Sequence, residues 1–252
     1  MNHVQQLSSD CSQPLPTDDI YALQPGSFRE LWEAEYGRYS TIPSTRRGAP
    51  AHALVQLLEN HELRADTALD LGCGNGRNAF YLAAQGINVM AVDFSQTALD
   101  LLEKEQKRQN LSAVISSMNH DIRDELPLAS NIMDLILDSY CLCHFVDSRE
   151  RRKAMAEIHR ILKPGGKLIK IHLDNKDEYY LERQKNRADY GHISYDPANG
   201  LYKTHMSLQS YIQDIGSEFK YITHEIVKFI DDVRDDSYER SIFVCVTEKL
   251  IA

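Results

Sequence analysis

Five short apolar segments alternate with amphipathic segments between residues 67 and 173, and this alternation constrains the fold more than any other feature. Residues 77–85 and 149–162 place apolar side chains at helical spacing, and each segment is flanked by apolar runs. Such alternation is typical of a parallel sheet that is covered by helices on both faces. We therefore predict a doubly wound, Rossmann-like α/β fold with strands at 67–71, 87–92, 113–118, 132–137 and 167–173.

The regularity ends after residue 173. Residues 174–206 are polar and rich in Tyr and His. An insertion of this length in a compact domain predicts a cover over a substrate site, the alternative being a solvated loop. A helix over 207–215 and two terminal strands over 219–229 and 241–247 follow. We predict two regions, an N-terminal arm with a covering helix over 1–48 and the main domain over 49–252.

A glycine-rich turn follows the first predicted strand. Gly72, Gly74 and Gly76 alternate there, beginning two residues after Asp70. Glycine permits a positive φ in a tight turn and lets the backbone approach a ligand without an intervening Cβ. Asp93 ends the next strand, 21 residues after Gly72, at the spacing where a carboxylate reaches a ribose diol. Turn and acid together predict a nucleoside-binding crevice at the carboxyl ends of the strands.

The spacing of the glycines distinguishes two cofactor classes. A dinucleotide site has the pattern G-x-G-x-x-G, whereas the third glycine here comes one residue early and Arg77 stands where that pattern has glycine. Asp70 is poorly placed for a pyrophosphate, but it suits a ligand that carries an ammonium group. These features favour S-adenosylmethionine (SAM) as the cofactor and leave NAD as the alternative.

The composition limits the partners and the location of the protein. The chain has 28 Lys and Arg against 37 Asp and Glu, and its net charge of −9 disfavours nucleic acid as a partner, which rewards clustered cations. Five cysteines, an odd number, are typical of a reducing compartment, not of a disulfide framework. Neither a secretory signal nor an apolar stretch of the ~20 residues that span a bilayer is visible. We expect a cytoplasmic protein without a metal site, as a monomer or a homodimer.

Five motifs between residues 67 and 173 resemble, in order, those of class I SAM-dependent methyltransferases. They are DLGCGNG at 70–76, VDFS at 92–95, HDI at 120–122, LDSY at 137–140 and LKPGG at 162–166. The family's seven-stranded sheet with a reversed last strand fits the two terminal strands predicted here. The resemblance implies cofactor contacts from Asp70, Gly72, Cys73, Gly74, Gly76, Asn78, Asp93, Phe94, Ser95, Asp121, Ile122, Asp138 and Ser139, and from Tyr36 and Arg46 in the N-terminal region.

The resemblance also implies methyl transfer, and the GNGRN segment at 74–78 resembles the branch that acts on small molecules. An Asn/Asp-Pro-Pro-aromatic motif at the fourth strand, which enzymes that methylate exocyclic amines of bases or glutamine amides often carry, is missing at 138–141. We therefore predict a small-molecule acceptor with N, O or S as the methylated atom. The alternatives are an RNA or protein methyltransferase and a non-catalytic SAM-binding subunit. The predicted catalytic residues are His144 and Asp174, and the predicted substrate contacts are Tyr140, His144, Tyr180 and Tyr202.

Overall fold

A computed structural model describes residues 27–37, 42–60, 63–184, 193–196, 199–233 and 236–251. Most of the arm predicted over 1–48 lies outside these residues, and so does the middle of the insertion. No helix in the described ranges is long and apolar enough to cross a bilayer.

The helices and strands alternate from residue 67 onward, as the sequence predicts. The helices are α1 Phe28–Gly37, α2 Pro43–Arg46, α3 His52–Asn60, α4 Arg77–Ala84, α5 Gln96–Gln109, α6 Ser148–Ile161, α7 Glu178–Gln184 and α8 Leu208–Asp214. The strands are β1 Thr67–Leu71, β2 Asn88–Asp93, β3 Ile115–Asn119, β4 Met133–Ser139, β5 Leu162–Leu173, β6 Ile193–Asp196, β7 Leu201–Thr204, β8 Phe219–Val233 and β9 Asp236–Lys249.

Seven of these strands form one sheet in the order β3-β2-β1-β4-β5-β9-β8. The strands from β1 to β5 run parallel, and β9 pairs antiparallel with both β5 and β8. The predicted doubly wound α/β fold with a reversed last strand is therefore confirmed. Because the chain leaves β1 toward β2 and later returns to its other side at β4, the order reverses beside β1. A crevice for a ligand opens at such a reversal, beyond the carboxyl ends of the strands.

Both faces of the sheet are buried, since side chains of one strand alternate between two apolar clusters. Ala68 of β1 packs with Leu82 of α4 and Leu102 of α5, whereas Leu69 packs with Ile158 and Ile161 of α6 on the opposite face. All of these side chains are at most 3% exposed. The period of two along β1 thus directs alternate residues to helices on either side, which is the layered arrangement that the alternation predicts.

Two elements differ from the sequence prediction. Strand β5 begins at Leu162, before the Pro-Gly-Gly turn expected to precede it, because residues 163–166 form a bulge between the pairs Met133–Leu162 and Leu135–Lys167. The insertion over 174–206 contains α7 and the hairpin β6–β7 in addition to loop residues. Its alternating tyrosines and short polar runs carry too weak a periodicity to predict these elements.

Helix α1 is tied to the main domain through an acid that the sequence analysis did not single out. The Glu33 carboxylate accepts hydrogen bonds from the backbone N–H groups of Gln96 and Thr97 and from the Ser95 hydroxyl. These groups form the N-terminus of α5, where the helix dipole favours a negative charge. Helix α1 therefore lies against the carboxyl end of β2.

Candidate active site

A cavity of about 600 Å³ opens at the carboxyl ends of β1, β2 and β4. This volume lies within the range of roughly 300–1,000 Å³ that is usual for small-molecule sites. Helix α1 and the 47–53 segment form one wall, and the insertion with β8 and β9 forms another. Of the residues predicted from the sequence, the cavity is lined by Tyr36, Gly72, Cys73, Asn78, Asp93, Phe94, Asp121, Ile122, Ser139, Tyr140, His144 and Tyr180.

The first two glycines of the glycine-rich turn have a left-handed backbone conformation. The φ values are 60° at Gly72 and 56° at Gly74. A Cβ at Gly72 would lie 2.5 Å from Cys141 Sγ, and a Cβ at Gly74 would lie 2.2 Å from Tyr36 Oη. The glycines are therefore required by protein packing as well as by φ, in addition to the ligand approach that the sequence analysis inferred. Gly74 and Gly76 do not line the cavity, and Gly76 directly precedes α4.

Gly74→Ala should lower the free energy of unfolding by about 2 kcal/mol, from left-handed strain and from the overlap with Tyr36. Gly86 is a matched control, since its φ is 84° and its Cβ would meet nothing within 4 Å. Gly86→Ala should therefore lower the free energy of unfolding only through the left-handed strain, by about 1 kcal/mol. Urea denaturation measures both variants. Adding Tyr36→Phe should restore part of the Gly74→Ala loss, and equal losses at both glycines would contradict the packing argument.

Asp93 holds the turn and faces the cavity. One carboxylate oxygen accepts the Gly74 N–H at 2.9 Å, and the other accepts the Ser95 N–H at 2.8 Å. Burial raises the pKa of Asp93 to about 6, although backbone hydrogen bonds from Ser95, Gly74 and Phe94 oppose the rise. A carboxylate has about four acceptor sites, so Asp93 retains acceptor capacity for hydroxyl groups of a ligand. Ser95 itself is fully buried as the N-cap of α5, with its Oγ bonded to the Ala98 N–H, and does not line the cavity.

Asp70 lies beneath the turn and not on the cavity wall. It is 1% exposed, and its Oδ2 atom has no hydrogen-bond partner. Burial raises its pKa to about 7, against the attraction of the Arg77 guanidinium. The structure therefore separates Asp70 from a ligand by the loop, in contrast to the direct ammonium contact that the sequence analysis expected.

Aromatic side chains of α1, together with Phe94 directly after β2 and with His144, form one end of the cavity. The Phe94 ring lies 5.6 Å from that of Phe28, and Trp32 meets the His144 ring edge to face at 4.9 Å. Asp121 and Ile122 border this end, where Asp121 pairs with Arg123 at 2.6 Å. Flat apolar faces beside a carboxylate are suited to a purine ring.

Two arginines line the cavity near the turn. Arg77, the first residue of α4, has no carboxylate within ion-pair distance among the described residues, and its Nη1 donates to the Ala49 carbonyl. Arg47 is half-exposed and pairs with Asp231 at 2.7 Å. Arg46, the predicted cation, is exposed and outside the cavity, because the turn after α2 directs its neighbour inward. Asn78 also lines the cavity, with its Oδ1 accepting the Ala51 N–H.

The end of β4 divides its side chains between the two sides of the sheet. Asp138 forms a buried ion pair with Lys170 and accepts the N–H groups of Cys141 and Leu142, so it lies away from the cavity. Ser139 faces the cavity, and its Oγ is buried without a hydrogen-bond partner. Tyr140 has a φ of 60°, an uncommon value for a bulky residue that often marks a functional site.

The two predicted catalytic residues have different surroundings. His144 lines the cavity with a buried Nδ1 atom that has no hydrogen-bond partner. Burial and the nearby Lys203 ammonium hold the pKa of His144 well below its usual value, although a backbone bond to Tyr202 opposes this. Asp174 lies outside the cavity, where its carboxylate accepts the Ser241 hydroxyl at 2.9 Å and its N–H pairs with the Ser241 carbonyl. Asp174 thus anchors the insertion to β9.

Tyr140 after β4, together with residues of the insertion and of β9, lines a further part of the cavity. Tyr140, Tyr179, Tyr180, Lys203 and Arg240 line this part, which we call the acceptor lobe. Lys203 and Arg240 were missed in the sequence analysis, because neither belongs to a motif. Tyr202, a predicted substrate contact, packs on Tyr195 with ring centres 4.9 Å apart and does not line the cavity.

The sequence matches known proteins over the same region. The family described as "Methyltransferase domain" matches residues 69–170. A cypemycin N-terminal methyltransferase of Streptomyces is 34% identical over 47% of this chain and 46% of its own length, and a demethylmenaquinone methyltransferase of Lactobacillus johnsonii is 29% identical over 67% and 64%. The chain therefore spans less than two thirds of either relative.

A similar fold occurs in a solved structure that covers nearly all of this chain. It is the 1,6-didemethyltoxoflavin-N1-methyltransferase of Burkholderia thailandensis, with bound 1,6-didemethyltoxoflavin and S-adenosylhomocysteine. The TM-score is 0.65 at 17% identity, over 97% of this chain and 94% of that one. At this identity the likeness concerns the fold.

Proposed function

We propose, since this chain carries a methyltransferase domain of the class I SAM-dependent superfamily, that the protein is an enzyme which transfers a methyl group from SAM to a small-molecule acceptor. The acceptor atom is N, O or S. The observation that carries the proposal is the Asp93 carboxylate, which faces the cavity at the end of β2 and is held by the glycine turn. The match of the family confirms the predicted superfamily and favours its cofactor, SAM, over NAD.

The cavity fits the cofactor on several counts. The Asp93 carboxylate retains acceptor capacity for the ribose hydroxyls, and Phe94 and Ile122 border the place for the adenine. Arg77 supplies a cation for the carboxylate of the methionine part. The buried Ser139 hydroxyl, which lacks a partner, can donate to or accept from the ligand.

Bound SAM would supply an activated methyl group, because its sulfonium leaves as a neutral thioether. The protein then has to align the acceptor and exclude water, and alignment alone can lower a barrier by roughly 7–11 kcal/mol. Tyr140 and the insertion enclose the acceptor lobe for this purpose. His144 is held neutral, so its Nδ1 accepts a hydrogen bond from the acceptor and positions it. We assign Asp174 a structural role.

A small-molecule acceptor fits the cavity better than a polymer does. The walls from α1, the insertion and β8 enclose the lobe, and the net charge of −9 disfavours RNA. Two of the similar proteins are named for small acceptors, demethylmenaquinone and didemethyltoxoflavin. The cypemycin relative is named for a peptide N-terminus, which makes a peptide the second candidate.

The free thiols of Cys73, Cys141 and Cys143 suit a reducing compartment, which we take to be the cytoplasm.

Cofactor affinity should fall at acid pH. Asp93 accepts hydroxyl donors in its ionised form, and its pKa in the free protein is about 6. Protonation below that pH removes the acceptor, so the Kd for S-adenosylhomocysteine (SAH) should rise about tenfold per pH unit below pH 6. Above pH 7 the titration of Asp93 is complete and should no longer change the Kd. Calorimetry from pH 5 to 8 measures this. The rise should persist in Asp70→Asn and vanish in Asp93→Asn, and a rise in both variants would assign it to another group.

A release assay tests the function. The protein is incubated with SAM and, in separate reactions, a metabolite panel, short peptides and bulk RNA, and the SAH released is quantified. We expect release with one or more metabolites and none with RNA at any salt concentration. Release only with peptides would favour the second candidate. SAH binding without release from any class would support a non-catalytic subunit, and failure to bind SAH would refute the proposal.

A further inference from the structure

We infer that the acceptor carries a negatively charged oxygen, of the carboxylate or phenolate type, which binds to the Lys203 ammonium beside Tyr180. The inference rests on the proposed function and adds the chemical class of the acceptor. Lys203 lies on β7, in the insertion that covers the cavity, and is only 6% exposed. It nevertheless lines the acceptor lobe.

The Lys203 ammonium is only partly satisfied by the protein. Its Nζ donates to Tyr180 Oη at 2.9 Å and lies 5.5 Å from the centre of that ring. No carboxylate among the described residues lies within ion-pair distance of it. An ammonium has three N–H donors, so up to two remain for a ligand. Asp196 also lines the cavity and attracts Lys203 from beyond ion-pair distance, but its carboxylate already accepts hydrogen bonds from Tyr179 and Asn199. A buried charge without a direct anionic partner is costly, which is the reason to expect an anion of the ligand beside Lys203.

Other buried cations of the domain have protein acceptors for their N–H donors. Lys170 is paired with Asp138, and Lys249 donates to Asn131 and to two backbone carbonyls. Arg240 shares the acceptor lobe with Lys203, but its guanidinium is bound by Asp177 and Asp231. Lys203 thus differs from these cations in facing a cavity with unused donors.

The charge of Lys203 persists in this surrounding. Burial alone lowers the pKa of a lysine, but the attraction of Tyr180 and Asp196 outweighs it and raises the pKa of Lys203. The Asp196 carboxylate accepts hydrogen bonds from Tyr179 Oη and from the Asn199 amide. Lys203 is therefore a permanent cation at neutral pH.

An anionic acceptor also fits the rest of the lobe. The rings of Tyr179 and Tyr180 and the side chains of Val227 and Phe229 line it, which suits a flat or apolar body attached to the charged group. An acceptor that arrives ionised needs no general base. The cavity is consistent with this, because burial and Lys203 hold the pKa of His144 well below its usual value and so make its imidazole a weak base.

The test compares charged probes with neutral analogues of the same shape. Calorimetry on the SAH-loaded protein at pH 8 measures benzoate against benzamide, and 4-nitrophenolate against 4-nitroanisole. We expect the anion of at least one pair to bind about tenfold or more tightly than its neutral partner, as for one charge-assisted hydrogen bond. The first pair reports a carboxylate and the second a phenolate. Equal binding within both pairs, or no binding of either anion, would overturn the inference.

Variants then assign the preference to one side chain. Lys203→Met should remove the preference for the anion, Lys203→Arg should retain most of it, and Lys228→Met, at an exposed ion pair on β8, should not change it. A preference that survives Lys203→Met would overturn the inference. SAH affinity is measured first in every variant. Failure to bind SAH in the wild type would refute the proposed function, whereas SAH binding without an anion preference would refute only the acceptor class.

Discussion

Asp93→Ala should weaken SAH binding by at least a hundredfold. In the proposed complex the Asp93 carboxylate accepts both ribose hydroxyls, and a hydrogen bond to a charged group contributes about 1.5–3 kcal/mol. Losing two such bonds corresponds to roughly 3–6 kcal/mol, or two to four powers of ten in Kd. The same substitution also leaves the Gly74 and Ser95 N–H groups without their acceptor. Calorimetry at high protein concentration measures the loss.

Ser95→Ala is the matched control for the local damage that Asp93→Ala causes. The Ser95 hydroxyl caps α5, and its loss should lower the free energy of unfolding by about 1 kcal/mol. Because Ser95 does not line the cavity, the SAH affinity of the Ser95→Ala variant should stay within about threefold of the wild type. If Ser95→Ala weakened binding as much as Asp93→Ala, the effect would come from the α5 N-terminus and not from the carboxylate.

Asp138→Ala should destabilise the fold by about 3–5 kcal/mol, because it leaves Lys170 as a buried charge without its partner. The Lys170 and Asp138 side chains are 4% and 1% exposed. For a domain of this size such a loss lowers Tm by roughly 6–20 °C, which calorimetric melting measures. The N–H groups of Cys141 and Leu142 lose their acceptor at the same time.

Two further variants separate the buried charge from other effects. Lys228→Ala breaks an exposed pair with Glu239 and should change the free energy of unfolding by less than about 1 kcal/mol. The double variant Asp138→Asn/Lys170→Met removes both charges and should recover most of the stability. It should also bind SAH like the wild type, because Asp138 lies away from the cavity. Weak SAH binding by a stable double variant would instead support the direct cofactor contact that the sequence suggested.

The sheet and the cofactor side of the cavity were predictable from the sequence because their signals are local. Apolar runs of period two and amphipathic helices specify each element from its own residues. The left-handed turn requires Gly72 and Gly74 at fixed positions, and Asp93 must end the strand next to it. Sequence spacing therefore carries most of the information about this part of the site.

The acceptor lobe could not be predicted in the same way, because contacts between distant segments form it. Lys203 meets Tyr180 across 23 positions, and Arg240 meets Asp177 across 63. The orientation of side chains at the end of β4 was hidden for a similar reason. Asp138 pairs with Lys170 of the neighbouring strand, and Asp174 accepts the hydroxyl of Ser241 on β9.

A crystal structure of the protein with SAH tests the central claim most directly. The measured quantity is the distance from the Asp93 carboxylate oxygens to the ribose 2′ and 3′ hydroxyl oxygens. Our account predicts both at roughly 2.5–3.0 Å, with the adenine against Phe94. SAH bound with its ribose away from Asp93, or outside this cavity, would contradict the account.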